Sequence, residues 1–214
     1  MPGDLDFYFD FISPYAYLAT GAVRSIAEAR GRTIRWKPFR LGVAVVKVMG
    51  LKPLMETPLK ADYVRRDIAR LARVLGLPLH PDGELPDPLP PALLFYGAPV
   101  PLREPLALAL LAARWAEGRD IADPCVLKSV AASVGLDPSL VAEAVDGGRS
   151  RAALAATTRE AVARGVFGSP TVAVGGELFW GADRLWLLDS YLAANETFRP
   201  EAGVKNSRLP QYGL

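Results

Sequence analysis

The sequence predicts an α/β fold in which a small sheet carries a large inserted helical subdomain. Three observations predict it: strand, helix and strand signals near the start of the chain, a long helical stretch in the middle, and hairpin and helix signals near the end. This is the element order of a thioredoxin fold with an insertion. We therefore expect a thioredoxin-like domain over residues 1–41 and 165–200, an inserted helical subdomain over 42–164, and a C-terminal tail over 201–214.

The first strand runs directly into the first helix. Aromatic and acidic residues alternate over residues 6–11, which is the period of a β-strand. From Tyr15 onward, apolar residues follow helical spacing, with Pro14 at the first position, where a missing N–H costs nothing. Ser13 is therefore the predicted N-cap. Its hydroxyl either only caps the helix or forms, with the first free N–H groups, a small anion site that suits a thiolate.

The last part of the chain contains a second compact set of signals. Residues 171–174 are typical of a short strand, Gly175 and Gly176 of a hairpin turn, and residues 177–180 of the return strand. The next three residues, Gly181-Ala182-Asp183, begin a last helix. Asp183 can cap that helix without contacting any ligand, because Asp is a favoured N-cap residue.

The insertion divides into helices at its own start and stop signals. Apolar spacing predicts helices over residues 62–75 and 105–117, and Asp-Pro pairs at 123–124 and 137–138 predict the starts of two more. A further helix is predicted from 150 to 165. The proline-rich residues 78–101 predict an irregular loop, either a wall of the active site or a surface connection.

Composition narrows the classes of function. The 25 Lys and Arg residues nearly balance the 23 acidic residues, so the net charge of +2 gives no electrostatic case for nucleic acid. A single cysteine, Cys125, cannot form an internal disulfide. The N-terminus lacks a basic segment followed by an apolar core, and the most apolar run, Pro105 to Trp115, is too short to cross a bilayer. We therefore expect a cytoplasmic protein with no membrane partner.

Other catalytic chemistries find little support. His80 lies in the proline-rich stretch, and no Gly-x-Ser-x-Gly nucleophile elbow accompanies it, so it is interpreted as a surface histidine. The sequence has no cluster of His or Cys for a metal and no glycine motif for phosphate or a dinucleotide.

Three motifs in order carry a family resemblance. DFISPYAYLA near the N-terminus, GVFGSPT and the later WGADR together resemble the kappa-class glutathione transferases and 2-hydroxychromene-2-carboxylate isomerases, of the DsbA-like thioredoxin superfamily. Residues 50–67 also resemble the spacing of a Gly-Asn-x-Pro-Pro, Lys and Tyr-x-x-x-Asp pattern of this family. Redox members of the superfamily carry Cys-x-x-Cys where this chain has Ser13-Pro14-Tyr15-Ala16. Disulfide exchange is not expected, and the resemblance implies that glutathione brings the sulfur.

The resemblance implies roles for individual residues around glutathione. Ser13 would be the catalytic residue whose hydroxyl donates to the glutathione sulfur and favours its ionised form. Ser169 would precede a cis proline, Pro170, and pair its backbone with the cysteinyl part. The γ-glutamyl end would bind at Ala182 and Asp183, and the glycyl carboxylate would lie near Lys60.

On the substrate side, the sequence departs from the family. Leu51 stands where the family has an asparagine, and prolines replace a second asparagine-containing segment. Tyr15, Trp180 and Leu51 are the candidate substrate-binding residues. The resemblance implies a glutathione-dependent isomerase of a small 2-hydroxychromene-2-carboxylate-like aromatic substrate, acting by reversible thiolate addition. The alternatives are a kappa-class-like transferase that conjugates electrophiles and a non-catalytic protein that binds a thiol or aromatic ligand. A homodimer is expected because relatives form one.

Overall fold

The computed structural model describes residues 4–81 and 83–194. The elements near the two ends of the chain form one mixed sheet. The N-terminal unit consists of β1 (Leu5–Phe9), α1 (Pro14–Ala29) and β2 (Ile34–Pro38). The C-terminal unit consists of β3 (Thr171–Val174), β4 (Glu177–Trp180), a 3-10 turn (Ala182–Arg184) and α8 (Leu185–Ala194). The predicted strands and hairpin of the C-terminal unit are confirmed at their predicted residues.

Six α-helices lie between β2 and β3. They are α2 (Lys60–Leu75), α3 (Leu89–Gly97), α4 (Val100–Trp115), α5 (Pro124–Ser133), α6 (Leu140–Asp146) and α7 (Gly148–Ala163). A π-helical turn (Val43–Val48) and a 3-10 turn (Leu54–Glu56) precede them. Among the described residues, no helix is both long enough and apolar enough to cross a membrane.

The four strands lie in the order β2-β1-β3-β4. β1 pairs with β2 in parallel, with Phe7 opposite Trp36, and with β3 antiparallel, with Phe7 opposite Val172. A parallel pair needs a crossover, which α1 supplies. Because β1 is central, all five of its residues are buried. This mixed sheet flanked by helices confirms the predicted α/β, thioredoxin-like class.

An aromatic core joins the insertion to the sheet. Phe9 of β1 meets Trp36 of β2 edge to face, with ring centroids 5.8 Å apart, and Phe95 of α3 at 6.4 Å. Edge-to-face pairs of this kind add about 0.5–1.5 kcal/mol to the gain from burial. The inserted helices therefore share one hydrophobic core with the sheet that carries Ser13.

The prediction of an irregular loop over residues 78–101 is wrong for its second half. Residues 89–97 form α3, and α4 already begins at Val100. Pro90 and Pro91 fall in the first turn of α3, where their missing N–H groups have no intrahelical acceptor. The following residues Leu93, Leu94 and Phe95 are buried, and this burial outweighs the breaker signal.

Two smaller corrections concern helix starts. The pair Asp137-Pro138 does not begin α6, because the Asp137 carboxylate accepts the Ser139 N–H at 2.9 Å in a local turn and the helix starts at Leu140. The last helix is preceded by a 3-10 turn, so α8 begins at Leu185. The predicted tail, 201–214, lies outside the described residues. The domain boundaries stay predictions.

Candidate functional site

Ser13 is the N-cap of α1, as predicted. Its backbone is extended (φ −96°, ψ 112°), and its Oγ accepts the N–H of Ala16 at 3.3 Å. The same hydroxyl donates to the carbonyl oxygen of Ser169 at 3.0 Å. Pro14 has no N–H, and Ala16 and Tyr17 donate to the Ser13 carbonyl, which leaves the Tyr15 N–H as the remaining first-turn donor. The positive end of the helix dipole thus acts close to the Ser13 hydroxyl.

Asp10 joins the two serines through its backbone. Its carbonyl accepts the Ser13 N–H at 3.0 Å, and its N–H donates to Ser169 Oγ at 2.9 Å. Its carboxyl oxygens accept the N–H groups of Ile12 (3.2 Å) and Leu41 (2.9 Å). The end of β1, the start of α1 and the Ser169 loop are therefore connected by hydrogen bonds that meet at one buried residue.

The Asp10 carboxyl is in an unusual electrostatic environment. Asp10 is only 2% exposed, and this burial raises the pKa of its carboxyl to about 6. The N–H donors of Leu41 and Ile12 and the positive charge of Arg40 act in the opposite direction. A titratable group thus lies directly beneath the Ser13 junction.

The Ser169–Pro170 peptide bond is cis, as the resemblance implied. The Pro170 carbonyl accepts the Gly181 N–H at 2.9 Å, which fixes the start of the WGADR segment beside the proline. Gly181 has φ 105° and ψ 149°, a conformation that essentially only glycine adopts. Ser13, Ser169, Pro170 and Gly181 therefore form one hydrogen-bonded group.

Ala182 and Asp183 lie in the 3-10 turn that follows Gly181. Ala182 is partly buried and packs on the core, whereas Asp183 is exposed and pairs with Arg184 at 3.0 Å. No side-chain cap is made at the start of this turn, and Asp183 lies inside it, so the capping role considered for Asp183 is not seen there. Its carboxylate is held only by a surface ion pair, which typically contributes 0–1 kcal/mol.

Tyr15 is half-buried between α1 and α2. Its hydroxyl donates to Asp67 Oδ2 at 2.9 Å. Burial, the bond to Asp67 and the negative charges of Asp67 and Asp183 all raise the pKa of Tyr15. Because the Asp183 charge acts on Tyr15, the 3-10 turn lies near the first turn of α1. The phenol is thus fixed as a neutral hydrogen-bond donor beside the junction.

An exposed aromatic pair flanks the cis proline. Trp180 and Phe167 meet edge to face with ring centroids 4.8 Å apart, and the Trp180 side chain is 51% exposed. A Cβ built on Gly168 would clash with the indole, so the ring lies directly over that glycine. Trp180 therefore presents an aromatic surface one residue away from Ser169, where a flat substrate can stack.

Two predicted residues are not joined to this group. Lys60 begins α2 with an exposed side chain, and Leu51 is exposed in the segment between the π-helical and 3-10 turns. Within the described parts of the chain, no hydrogen bond or ion pair links either residue to Ser13 or Ser169. Their roles at the glycyl carboxylate and at the substrate stay predictions.

Three residues of the site were not selected from the sequence as site residues. Asp10 ends an apolar strand and is a polar residue at a buried position, which is a usable signal. Phe167 lies inside the GVFGSPT motif, so the motif itself contained it. Asp67 is the last residue of the Tyr-x-x-x-Asp pattern, so the resemblance contained it, but its bond to Tyr15 depends on the packing of α2 on α1.

The geometry can now be compared with known proteins. Residues 4–193 match the family model described as the DSBA-like thioredoxin domain. The chain belongs to this family. It is 31% identical to a 2-hydroxychromene-2-carboxylate isomerase of Sphingobium xenophagum over 193 residues, which is 90% of this chain and 99% of that protein.

Two further matches agree with this family assignment. A solved structure of a 2-hydroxychromene-2-carboxylate isomerase superposes with a TM-score of 0.79 at 30% identity, covering 89% of this chain and 95% of that one. A glutathione S-transferase kappa 1 of Caenorhabditis elegans is 40% identical over 78 residues, which is 36% of this chain and 34% of that protein. The resemblance to the isomerases is thus confirmed over most of the chain, and the resemblance to the kappa-class transferases over about a third of it.

Proposed function

We propose that this protein is a glutathione-dependent isomerase of a 2-hydroxychromene-2-carboxylate-like aromatic substrate. The observation that carries the proposal is the Ser13 hydroxyl, which lies at a helix N-terminus and faces the Ser169 carbonyl beside a cis proline. Similarity to named isomerases over 90% of the chain supports the reaction class, and similarity to a kappa-class transferase supports the thiol.

The residues present fit glutathione. The Ser13 O–H, which donates to the Ser169 carbonyl in this structure, would exchange that acceptor for a thiolate, and the thiolate would also gain from the positive end of the α1 dipole. The backbone of Ser169 lies 3.0 Å from the Ser13 hydroxyl and would pair with the cysteinyl part of the tripeptide. The exposed Asp183 carboxylate is available to the γ-glutamyl ammonium group once it exchanges its surface partner, Arg184. Lys60 would reach the glycyl carboxylate.

The chain cannot supply this sulfur from its own active-site junction. Its one cysteine, Cys125, is exposed in the first turn of α5, and disulfide exchange needs an attacking and a resolving thiol. When bound, glutathione would supply a thiolate that adds reversibly to a conjugated carbon–carbon double bond, which then rotates as a single bond before elimination restores both partners. The reaction has no net redox change and consumes no thiol.

The protein's own residues would position the reactants and stabilise charge. Ser13 holds the negative charge of the sulfur before addition and again after elimination, which raises the ionised fraction of the thiol and lowers the cost of releasing the thiolate in the elimination step. Trp180 stacks on the flat substrate. The Tyr15 O–H, which donates to Asp67 in this structure, would exchange that acceptor for the substrate oxygen that becomes negative during addition. Leu51 contributes apolar surface. We also propose that the protein acts in the cytoplasm as a homodimer.

A thiolate titration tests the role of Ser13. The ultraviolet absorbance of bound glutathione thiolate is measured against pH in a Cys125→Ser background, which removes the protein's own thiol signal. With Ser13 intact, we expect the glutathione thiol pKa to fall by about 1–2 units, because a hydrogen bond to a charged group contributes about 1.5–3 kcal/mol. Ser13→Ala should lose most of that shift, and Ser13→Thr should keep part of it.

Ser139→Ala is the matched control, because Ser139 also precedes a helix but its hydroxyl caps nothing. Its titration should coincide with that of the unchanged protein. An unshifted thiol pKa with Ser13 intact would remove the basis for both isomerase and transferase. Product analysis with 2-hydroxychromene-2-carboxylate then separates the two enzymes, since an isomerase returns all the glutathione and a transferase consumes it.

A further inference from the structure

A cavity lies in the helical insertion and shares no residue with the Ser13 site. Its volume is about 330 Å³, near the lower end of the range for small-molecule sites. One side of the lining comes from the C-terminal end of α4 and the loop that follows it: Arg114, Gly118, Arg119 and Asp120. The other side comes from the segment before α3: Gly83, Glu84, Leu85 and Pro86. A cavity of this size accommodates a compact organic molecule as well as a bare ion.

Arg114 gives this cavity a buried positive charge. The residue is 2% exposed, and its Nε and Nη2 atoms meet no acceptor in the part of the chain that the structure describes. The guanidinium lies over the Trp115 ring at 4.6 Å. Arginine stays protonated even when buried, and a cation–π contact offsets only part of the cost of removing its charge from water. These two donors lack an acceptor, and an anionic acceptor would also offset the buried charge.

Other arginines of the chain show what this edge of the guanidinium binds. Arg35 presents its Nε and Nη2 to the two oxygens of Asp6 at 2.6 and 3.0 Å. Arg103, which lies in α4 with Arg114, also covers an aromatic ring, but its Nε and Nη2 donate to two backbone carbonyls at 3.1 and 3.0 Å. At Arg114 the same pair of donors has no such acceptor, and it matches a two-oxygen group.

The rest of the lining limits the charge of the ligand. Glu84 and Asp120 are exposed carboxylates, and the Asp120 charge acts on Arg114. Arg119 already pairs with Glu117 at 3.2 Å. A dianion such as phosphate would be repelled by both rim carboxylates, whereas a single carboxylate balances the one buried cation.

We propose that this cavity binds a compact monocarboxylate, with the carboxylate oxygens on the Nε and Nη2 edge of Arg114. Both nitrogens are shielded from solvent in this structure, so the proposal requires the guanidinium to turn toward the cavity when the ligand binds. The hydrocarbon part of the ligand then lies against the apolar wall formed by Leu85 and Pro86. The site is independent of the chemistry at Ser13, and its occupancy does not depend on glutathione.

Side-chain resonances of arginine test the proposal in the unchanged protein. Protein labelled with ¹⁵N at arginine is titrated with propionate, benzoate or phosphate against chloride at matched ionic strength. We expect the Arg114 Nε–H resonance, assigned with Arg114→Lys, to move saturably with the monocarboxylates. Affinity for them should fall by about tenfold or more in Arg114→Met, because a charge-assisted bond is lost.

Arg103→Met is the matched control, since it removes a second ring-stacked arginine of α4 whose donors are already satisfied. Its affinity should stay within about twofold of the original. Linear, unsaturated shifts in the unchanged protein would overturn the site, and so would equal affinity in Arg114→Met. Tighter binding of phosphate than of either monocarboxylate would overturn the assigned ligand class.

Discussion

Replacing Asp10 by asparagine tests how a buried carboxyl beneath the Ser13 junction affects stability. Burial raises the pKa of Asp10 from its ordinary value of 3.8 to about 6, against the N–H donors of Leu41 and Ile12 and the Arg40 charge. Between these two pH values, the folded protein holds a proton that the unfolded chain has released. The contribution to stability is therefore complete below about pH 4 and is lost as the pH rises through about 6.

The expected size follows from the same shift. A change from 3.8 to about 6 corresponds to about 3 kcal/mol, at about 1.4 kcal/mol per unit. Asparagine cannot titrate, so the Asp10→Asn protein lacks this part of the pH dependence. Its amide accepts only one of the two backbone N–H groups, which adds a loss of about 1–3 kcal/mol that is the same at every pH. The two proteins should thus differ in slope as well as in level.

The assay is urea unfolding of both proteins at several pH values between about 3.5 and 8. The free energies of unfolding of the two proteins are subtracted at each pH. This cancels the contributions of groups that titrate in both proteins, such as Asp6 and Glu160, whose pKa values are lowered. Asp87→Asn is the control, because the exposed Asp87 carboxylate also accepts the N–H of the residue two positions on, Leu89. Free energies of unfolding for Asp10→Asn that run parallel to those of the original protein from pH 4 to 7 would refute the reasoning.

Two substitutions at the aromatic side of the site give further predictions. Gly168→Ala places a methyl group against the Trp180 indole, so we expect a loss of about 1–3 kcal/mol in the free energy of unfolding and a raised KM for the aromatic substrate. Gly176→Ala, where nothing lies within 4 Å, is its control, and equal KM values in the two variants would contradict the stacking role. Tyr15→Phe removes the donor to Asp67 and should cost about 1 kcal/mol of stability while lowering kcat about tenfold or more. An unchanged kcat would show that the phenol does not stabilise charge during addition.

Local patterns predicted the parts of the fold that local interactions determine. The N-cap at Ser13, the hairpin over residues 171–180 and the helix predicted at 62–75, which forms Lys60–Leu75, depend on neighbours in the sequence. Helix α3 was missed because its proline signals are local, whereas the burial of Phe95 against Phe9 of β1 is a long-range contact. The cis bond at Pro170 was predicted only through the resemblance, because no local signal in the sequence distinguishes cis from trans there.

Ser13 and Ala16 occupy the two positions where redox relatives have cysteines, and their different environments bear on the proposed thiol. The Ser13 hydroxyl accepts the Ala16 N–H and donates to the Ser169 carbonyl, so it connects the start of α1 to the loop of the cis proline. At Ala16, where a redox relative has its second cysteine, the side chain is a fully buried methyl group of the hydrophobic core. The first position thus keeps a polar group that can donate to a sulfur, whereas the second has become part of the hydrophobic core. A site with a donor for a thiolate and no resolving thiol of its own fits a sulfur that enters with a ligand and leaves with it.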